Sequence, residues 1–246
     1  MIKIKSIIAR LLRFFLSSKP KNIKEIPIFI NNYNRLETTT RLIESLVSRG
    51  YNNIHILDNQ STYEPLLAYY QETIHKVHFL KKNYGSKAFW KSGLWLRYMF
   101  SNYVYTDADI VLKNDCPDDF MEHFYNLLTK YPKAHKVGFS LQIDDLPDSF
   151  KNKKKVVDWE SKYYTKEIET NAYIAPIDTT FALYRPFSKK GPRDYSVLAI
   201  RTGAPYQAKH LPWYIDSDNL DAEELYYFNS INKRTHWSRQ NAQKVD

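Results

Sequence analysis

Asp107 and Asp109 stand two residues apart, directly after the apolar stretch Tyr-Val-Tyr-Thr at 103–106. At the end of a strand the backbone is already turning, so the two carboxylates need not diverge. A diphosphate would be repelled by such a pair. A hard cation between them reverses the sign, because Mg²⁺ or Mn²⁺ accepts oxygen ligands from both partners. A lone Asp-x-Asp also arises by chance, with a loop cap as its ordinary reading. Here it has company. Polar clusters follow other apolar runs at 31–35 (Asn-Asn-Tyr-Asn-Arg), 58–61 (Asp-Asn-Gln-Ser) and 83–85 (Asn-Tyr-Gly).

These clusters need elements to hold them. The run Ile-Pro-Ile-Phe-Ile at 26–30 predicts a buried strand. Leu42, Ile43, Leu46 and Val47 recur at helical spacing within 38–49, and Gly50 stands where that helix can end. Residues 53–57, 77–80 and 103–106 predict three more strands. Residues 66–73 and 88–100 predict helices between them. Further on, 136–142 and 179–184 read as strands, and the stretch around Glu223 and Glu224 reads as helical. Strand and helix alternating at this spacing predict an α/β fold with a parallel sheet and helices on both faces. Ligands of such sheets bind beyond the carboxyl ends of the strands, where all the polar clusters fall. No Gly-x-Gly-x-x-Gly follows the first strand and no Gly-Lys-Ser/Thr occurs. Dinucleotide-binding and P-loop chemistry are therefore disfavoured.

The segments 27–50, 56–62 (Ile-Leu-Asp-Asn-Gln-Ser-Thr) and 105–110 (Tyr-Thr-Asp-Ala-Asp-Ile) together resemble a family 2 type glycosyltransferase of GT-A fold. The resemblance covers roughly 26–145 well. Segments 175–184 and 203–214 resemble the distal half of some bacterial members. It implies a single Rossmann-like domain with a mostly parallel central sheet flanked by helices. It implies a nucleotide-sugar donor, UDP-linked, and Mn²⁺ or Mg²⁺ held by Asp107 and Asp109. His210 is the implied third ligand, since neutral imidazole suits such a metal; a structural or acceptor-contacting histidine is the other reading. Asp58 would accept a hydrogen bond from the nucleobase, with an Asx-turn as the alternative. Asn32, Tyr33, Asn34 and Arg35 would floor the base and ribose, although Arg35 could cap or pair locally instead. Asn83 and Lys87 would reach a phosphate or ribose, and Asp107 would contact the donor as well as the metal.

Inverting transfer to a saccharide or glycolipid hydroxyl also needs a base. The acidic Glu-Asp pair usual in family 2 is not obvious here. Asp178 leads the candidates, because it opens the expected strand at 179–184 and Pro176 restrains the chain just before it. Asp144 and Asp145, after the strand at 136–142, come next; Glu223 and Glu224 follow. Trp159, Trp213 and Tyr214 could stack on a sugar, against a default of core packing. The setting implied is bacterial surface polysaccharide or lipopolysaccharide synthesis. The rival is a catalytically silent nucleotide-sugar or carbohydrate-binding module at a membrane surface. A nucleotidyltransferase is disfavoured, because the first-strand loop has no glycine.

Composition bounds these readings. The 246 residues suffice for one large domain, and 43% hydrophobic residues permit a core. The formal charge is +9, but residues 1–24 hold seven basic groups and no acidic one. The remainder carries 29 basic and 27 acidic residues, which disfavours a nucleic-acid-binding body. Cys116 is the only cysteine, so an intramolecular disulfide and a Cys-based zinc site are excluded. Residues 1–22 read as a basic N-terminal segment and linker. Residues 23–246 read as the GT-A domain, with a nucleotide-sugar half at 23–112 and an acceptor half at 113–246. Within 1–18, Ile7, Ile8, Leu11, Leu12 and Phe15 predict an amphipathic helix, too short and too charged to span a bilayer. Contact with an anionic membrane surface is expected from it, with packing on its own domain or on a twin subunit as the alternative. A cytoplasmic protein, peripheral on the inner face of the cell membrane, follows. The lysine run at 151–155 reads as solvated surface, with phosphate binding as the alternative.

Overall fold

The computed structural model describes residues 20–188 and 197–231, so the expected amphipathic helix at 1–18 lies outside the described residues. Among the described residues ten strands form one sheet. The first half alternates as expected: β1 (Ile28–Asn32), α1 (Glu37–Val47), β2 (Ile54–Asp58), α2 (Glu64–Glu72), β3 (Lys76–Phe79), α3 (Ala88–Lys91), α4 (Trp95–Tyr98) and β4 (Tyr103–Asp107). The order β3-β2-β1-β4 is parallel throughout. The expected single helix at 88–100 is two short pieces. Gly93 separates them at φ +81, a left-handed conformation that glycine reaches without steric cost.

The second half is mixed. It comprises β5 (Ile110–Leu112), α5 (Phe120–Lys130), β6 (Lys136–Leu141), α6 (Lys153–Glu160), β7 (Glu167–Glu169), β8 (Ala172–Ile174), β9 (Ala182–Tyr184), β10 (Ala199–His210) and α7 (Ala222–Ser230). The sheet continues β4-β9-β6-β10-β8-β7, with β5 pairing β10. Along the path from β3 to β10 only β9 runs against the others, so the central sheet is mostly parallel. β9 is shorter than the 179–184 expected. Residues 178–181 instead form an irregular segment leading into the strand. Gly138 makes this junction possible: a Cβ there would stand 2.4 Å from the Phe181 carbonyl oxygen.

Alternation along the strands builds two cores. Ile28 and Ile30 face one side with Ile54, Ile56, Val104 and Leu183, against α1, α2 and α5. Phe29, Leu57, Tyr103, Tyr105, Ala182 and Tyr184 face the other, against Ala88, Phe89 and Trp95. Period-two burial on both faces is what a sheet covered by helices requires. Between β1 and β4 the strand order reverses. Loops from neighbouring strands diverge there to opposite faces and leave a crevice.

Candidate functional site at the β1–β4 switch point

The Asp-x-Asp turn joins β4 to β5 at that crevice. Asp107 ends β4 opposite Asn31 of β1, and Asn31 Nδ2 donates to Asp107 Oδ1 at 3.0 Å. The Asp107 N–H donates to the Thr179 carbonyl at 2.9 Å. Two residues on, Asp109 turns toward β10. His210 pairs in register with Ile110, which brings its Nε2 to 3.6 Å from Asp109 Oδ2. Trp213 packs edge-on against the imidazole, ring centroids 4.7 Å apart, and fixes its plane. The two aspartates respond differently. Burial, then the Asp109 charge, pushes Asp107 up to about 7. Burial would raise Asp109 too, but His210 and Arg35 outweigh it and hold Asp109 below its ordinary value.

Asp109 and His210, about a hundred residues apart in the chain, thus stand side by side, with Asp107 two residues before Asp109 on the same turn. Among the described residues no three acidic, His or Cys side chains already stand as a closed metal cluster. The donor types alone suit a divalent ion. Asp109 Oδ1 and His210 Nδ1 are both buried with no hydrogen-bond partner. Two carboxylates and an imidazole match Mn²⁺ or Mg²⁺ in ligand type.

The nucleotide candidates divide. Asn32 alternates with Asn31, so its side chain turns away and donates to the Arg35 carbonyl and the Tyr70 hydroxyl, both at 2.9 Å. Asn34, at φ 53, accepts from the Thr62 and Tyr63 N–H groups and donates to Ser230 Oγ. Asp58 is buried and accepts from the Ser61 N–H, three residues on, at 3.2 Å. Tyr33 donates its hydroxyl to the Ser230 carbonyl at 3.0 Å. Asn83 and Lys87 are exposed on the loop after β3, where Asn83 accepts from the Gly85 N–H. The side chains that do line up with Asp107 are Asn31 and Asn59. Asn59 Nδ2 donates to Asn31 Oδ1 at 2.5 Å, and Asn59 Oδ1 accepts from the Tyr84 N–H. Neither was singled out in the sequence. Strand alternation against a known Asp107 partner was the signal available for Asn31.

Arg35 corrects the reading of its loop. Its ion pair is made across the chain rather than locally. It is 4% exposed, ion-paired with Glu224 of α7, and lies 3.8 Å above the Tyr227 ring. Glu223, its neighbour, accepts from the Leu36 and Glu37 N–H groups at 2.8 and 2.9 Å. Those are the orphan donors of α1, whose N-cap Leu36 supplies no side-chain acceptor. The helix around Glu223 and Glu224 is therefore seated on the β1 loop, beside Asp109. Burial raises Glu224 above the ordinary carboxylate range, although Arg35 opposes this. Its Oε2 is buried without a partner. Glu224 also lines a cavity of about 730 Å³ formed by α1, the loop after β5, Gln142, Asp145, Tyr214 and the approach to α7.

Among the other base candidates, Asp178 sits partly exposed beside Asp107, placed there because β9 runs antiparallel to β4. Lys136, buried under this segment, holds it by donating to the Ile177 carbonyl at 2.6 Å. Asp145 lines the cavity but is bound by Lys209 and by the Tyr214 hydroxyl, each at 2.5 Å. Burial raises it, yet these bonds prevail and hold it low, which leaves a weak proton acceptor. Asp144 is exposed beside it. Trp213 is buried and takes the core reading, whereas Trp159 is exposed on α6.

No family model matches the sequence, and no curated protein matches it. The fold does have solved counterparts. Glucosyl-3-phosphoglycerate synthase from Mycobacterium tuberculosis, in complex with phosphoglyceric acid, is 12% identical at a TM-score of 0.36, covering 68% of this chain and 63% of its own. GalNAc-T7, crystallised with UDP, GalNAc and Mn²⁺, is 14% identical at a TM-score of 0.50 over 78% of this chain. This chain spans 44% of the length of GalNAc-T7. The sheet order, the switch-point crevice and the likeness to GalNAc-T7 identify the fold as that of the GT-A glycosyltransferases.

Proposed function

We propose that this protein transfers a sugar from a UDP-linked donor to a saccharide or glycolipid hydroxyl, with inversion and with Mn²⁺ or Mg²⁺ as cofactor. One observation carries the reading. Asp109, His210 and Glu224 meet at the switch point of a GT-A sheet, each with a buried polar atom that has no protein partner. Unsatisfied buried groups cost stability, and a functional site is where that cost is retained. GalNAc-T7, which shares the fold, was crystallised with UDP and Mn²⁺.

Asp107, Asp109 and His210 would hold the cation, which supplies charge neutralisation for the departing diphosphate. Asn31 keeps Asp107 aimed into the crevice, and Asn59 steadies Asn31 in turn. Glu224 is the base we favour. Arg35 occupies Oε1 and leaves Oε2 to accept the proton of the acceptor hydroxyl. The acceptor oxygen then bonds to the anomeric carbon as the bond to the nucleoside diphosphate breaks. The 730 Å³ cavity beside Glu224 is where the acceptor would lie. A second reading assigns the base to Asp178, favoured by its place beside Asp107. The broader setting, surface polysaccharide assembly at the inner face of a bacterial membrane, belongs to the same proposal.

The test is a screen of UDP-, GDP- and dTDP-sugars by thermal stabilisation, with and without Mn²⁺, followed by donor hydrolysis. A ligand at a hundredfold excess over Kd adds about 2.7 kcal/mol. One UDP-sugar should stand out in the presence of metal. No metal-dependent shift with any donor would defeat the proposal and leave a silent module.

A further inference from the structure

Helix α6 carries its charge at the wrong end. Its first turn holds Lys153, Lys154 and Lys155 and no acidic residue. The amino end of a helix is the positive pole of its dipole and favours anions. Lys151 precedes the turn and Lys162 and Lys166 follow the helix, so residues 151–166 hold six lysines against Asp158 and Glu160. Glu160 is turned inward and pairs with the buried Arg201 at 2.6 Å. The lysines face outward: Lys151, Lys154, Lys155, Lys162 and Lys166 are all exposed.

An aromatic ring stands among them. Trp159 is 44% exposed, and Lys162 Nζ lies 3.0 Å from its ring centroid. Lys154, Lys155, Asp158 and Trp159 line a shallow groove of about 510 Å³. A lysine turn set against the helix dipole, beside a partly exposed indole, makes poor sense as inert surface.

We propose that this face docks the folded domain on an anionic phospholipid bilayer, with Trp159 at headgroup depth and the lysines against lipid phosphates. Three features favour a bilayer over a soluble anion. Lysines are mobile point charges suited to a diffuse field, whereas planar recognition of a single phosphate favours arginine. Indoles with an apolar body and a polar edge settle at the membrane–water interface. Residues 1–18 read in the sequence as a second basic amphipathic element, and two weak attachments on one chain reinforce each other. The face also adjoins the acceptor cavity. Lys151 pairs with Asp218, and its N–H donates to Ser217 Oγ at 3.2 Å. Asp216 and Asn219, on the same loop, wall that cavity. Docking by α6 would bring an acceptor carried in the bilayer near it.

The test is co-sedimentation of the full chain with phosphatidylcholine vesicles, with and without phosphatidylglycerol. Wild-type protein should sediment only with the anionic vesicles and be released by high salt. The triple variant K154E/K155E/K162E should bind them at least about ten-fold more weakly. W159A, which leaves every charge in place, should also weaken binding. Thermal midpoints check that the variants fold. Should the triple variant unfold, K154Q and W159A carry the same test at smaller amplitude. Binding of both variants equal to wild type would overturn the proposal, since residues 1–18 would then account for all attachment. Loss of heparin binding with vesicle binding unchanged would also overturn it, in favour of a soluble polyanion.

Discussion

At the scale of single residues, the site is defined by what its atoms lack. Asp109 Oδ1, His210 Nδ1 and Glu224 Oε2 are buried and unpartnered, while nearly every polar atom of Asn34 is satisfied by protein. On the proposed reading the first group takes ligands and the second builds the scaffold. Asp109→Ala should therefore abolish metal-dependent donor turnover and donor-induced stabilisation while leaving the far-ultraviolet circular dichroism unchanged. Full turnover by that variant, or by wild type in excess chelator, would remove the metal from the mechanism. The base is separated by a pair of isosteric changes. Glu224→Gln should lower kcat by roughly 10²-fold or more, because general-base catalysis contributes about 10²–10⁴. Donor affinity should change little, since the donor is held elsewhere. Asp178→Asn should cost less. If steady-state kinetics give the reverse order, Asp178 is the base and Glu224 serves to hold Arg35.

At the scale of elements, α7 is what the sequence could not place. The first four strands, β6, the first two helices and the Asp-x-Asp turn were legible because each announces itself within about a dozen residues: an apolar run, a helical period, a polar loop. Gathering Asp109 and His210 was legible only through resemblance. The seating of α7 was legible through neither, because its partners Arg35, Leu36 and Glu37 lie nearly two hundred residues away and no local pattern records that pairing. Arg35 misled for the same reason. A polar residue after a strand looks alike whether it meets a ligand or a distant helix. The consequence can be measured. Glu223 does for α1 what an N-cap side chain ordinarily does, and it does so across the chain. Glu223→Ala should cost about 1–2 kcal/mol, the upper part of the range for lost helix caps, in urea unfolding. A change under roughly 0.3 kcal/mol would show that water replaces the carboxylate freely and that α7 is not fastened there.

At the scale of the whole molecule, stability should carry a pH signature written at the sheet's edge. His55 of β2 and His78 of β3 stack with centroids 5.2 Å apart, and Nδ1 of one meets Nε2 of the other at 2.9 Å. Such a contact needs at least one neutral ring, to accept the proton that its partner donates. Burial lowers both to about 4; the His78 charge and Lys76 add to this for His55, and Lys76 and Arg97 for His78. The unfolded chain titrates near 6.5. Between those values the unfolded state binds protons that the folded pair refuses, so stability falls as pH falls. The contribution is fully present above about 6.5 and is lost as pH drops through about 4. Asp107, raised to about 7, acts with the opposite sign in the same window, so the wild-type curve alone is not diagnostic. A comparison isolates the pair. In His78→Gln one of the two groups is gone, and His55 loses the neighbour whose charge depresses it. The thermal midpoint of wild type should therefore decline more steeply than that of the variant from pH 6.5 to 4, with the two curves converging at the acid end. Parallel curves would mean that the stacked histidines titrate alike in the folded and unfolded chain, and that the β2–β3 edge is open to protons throughout.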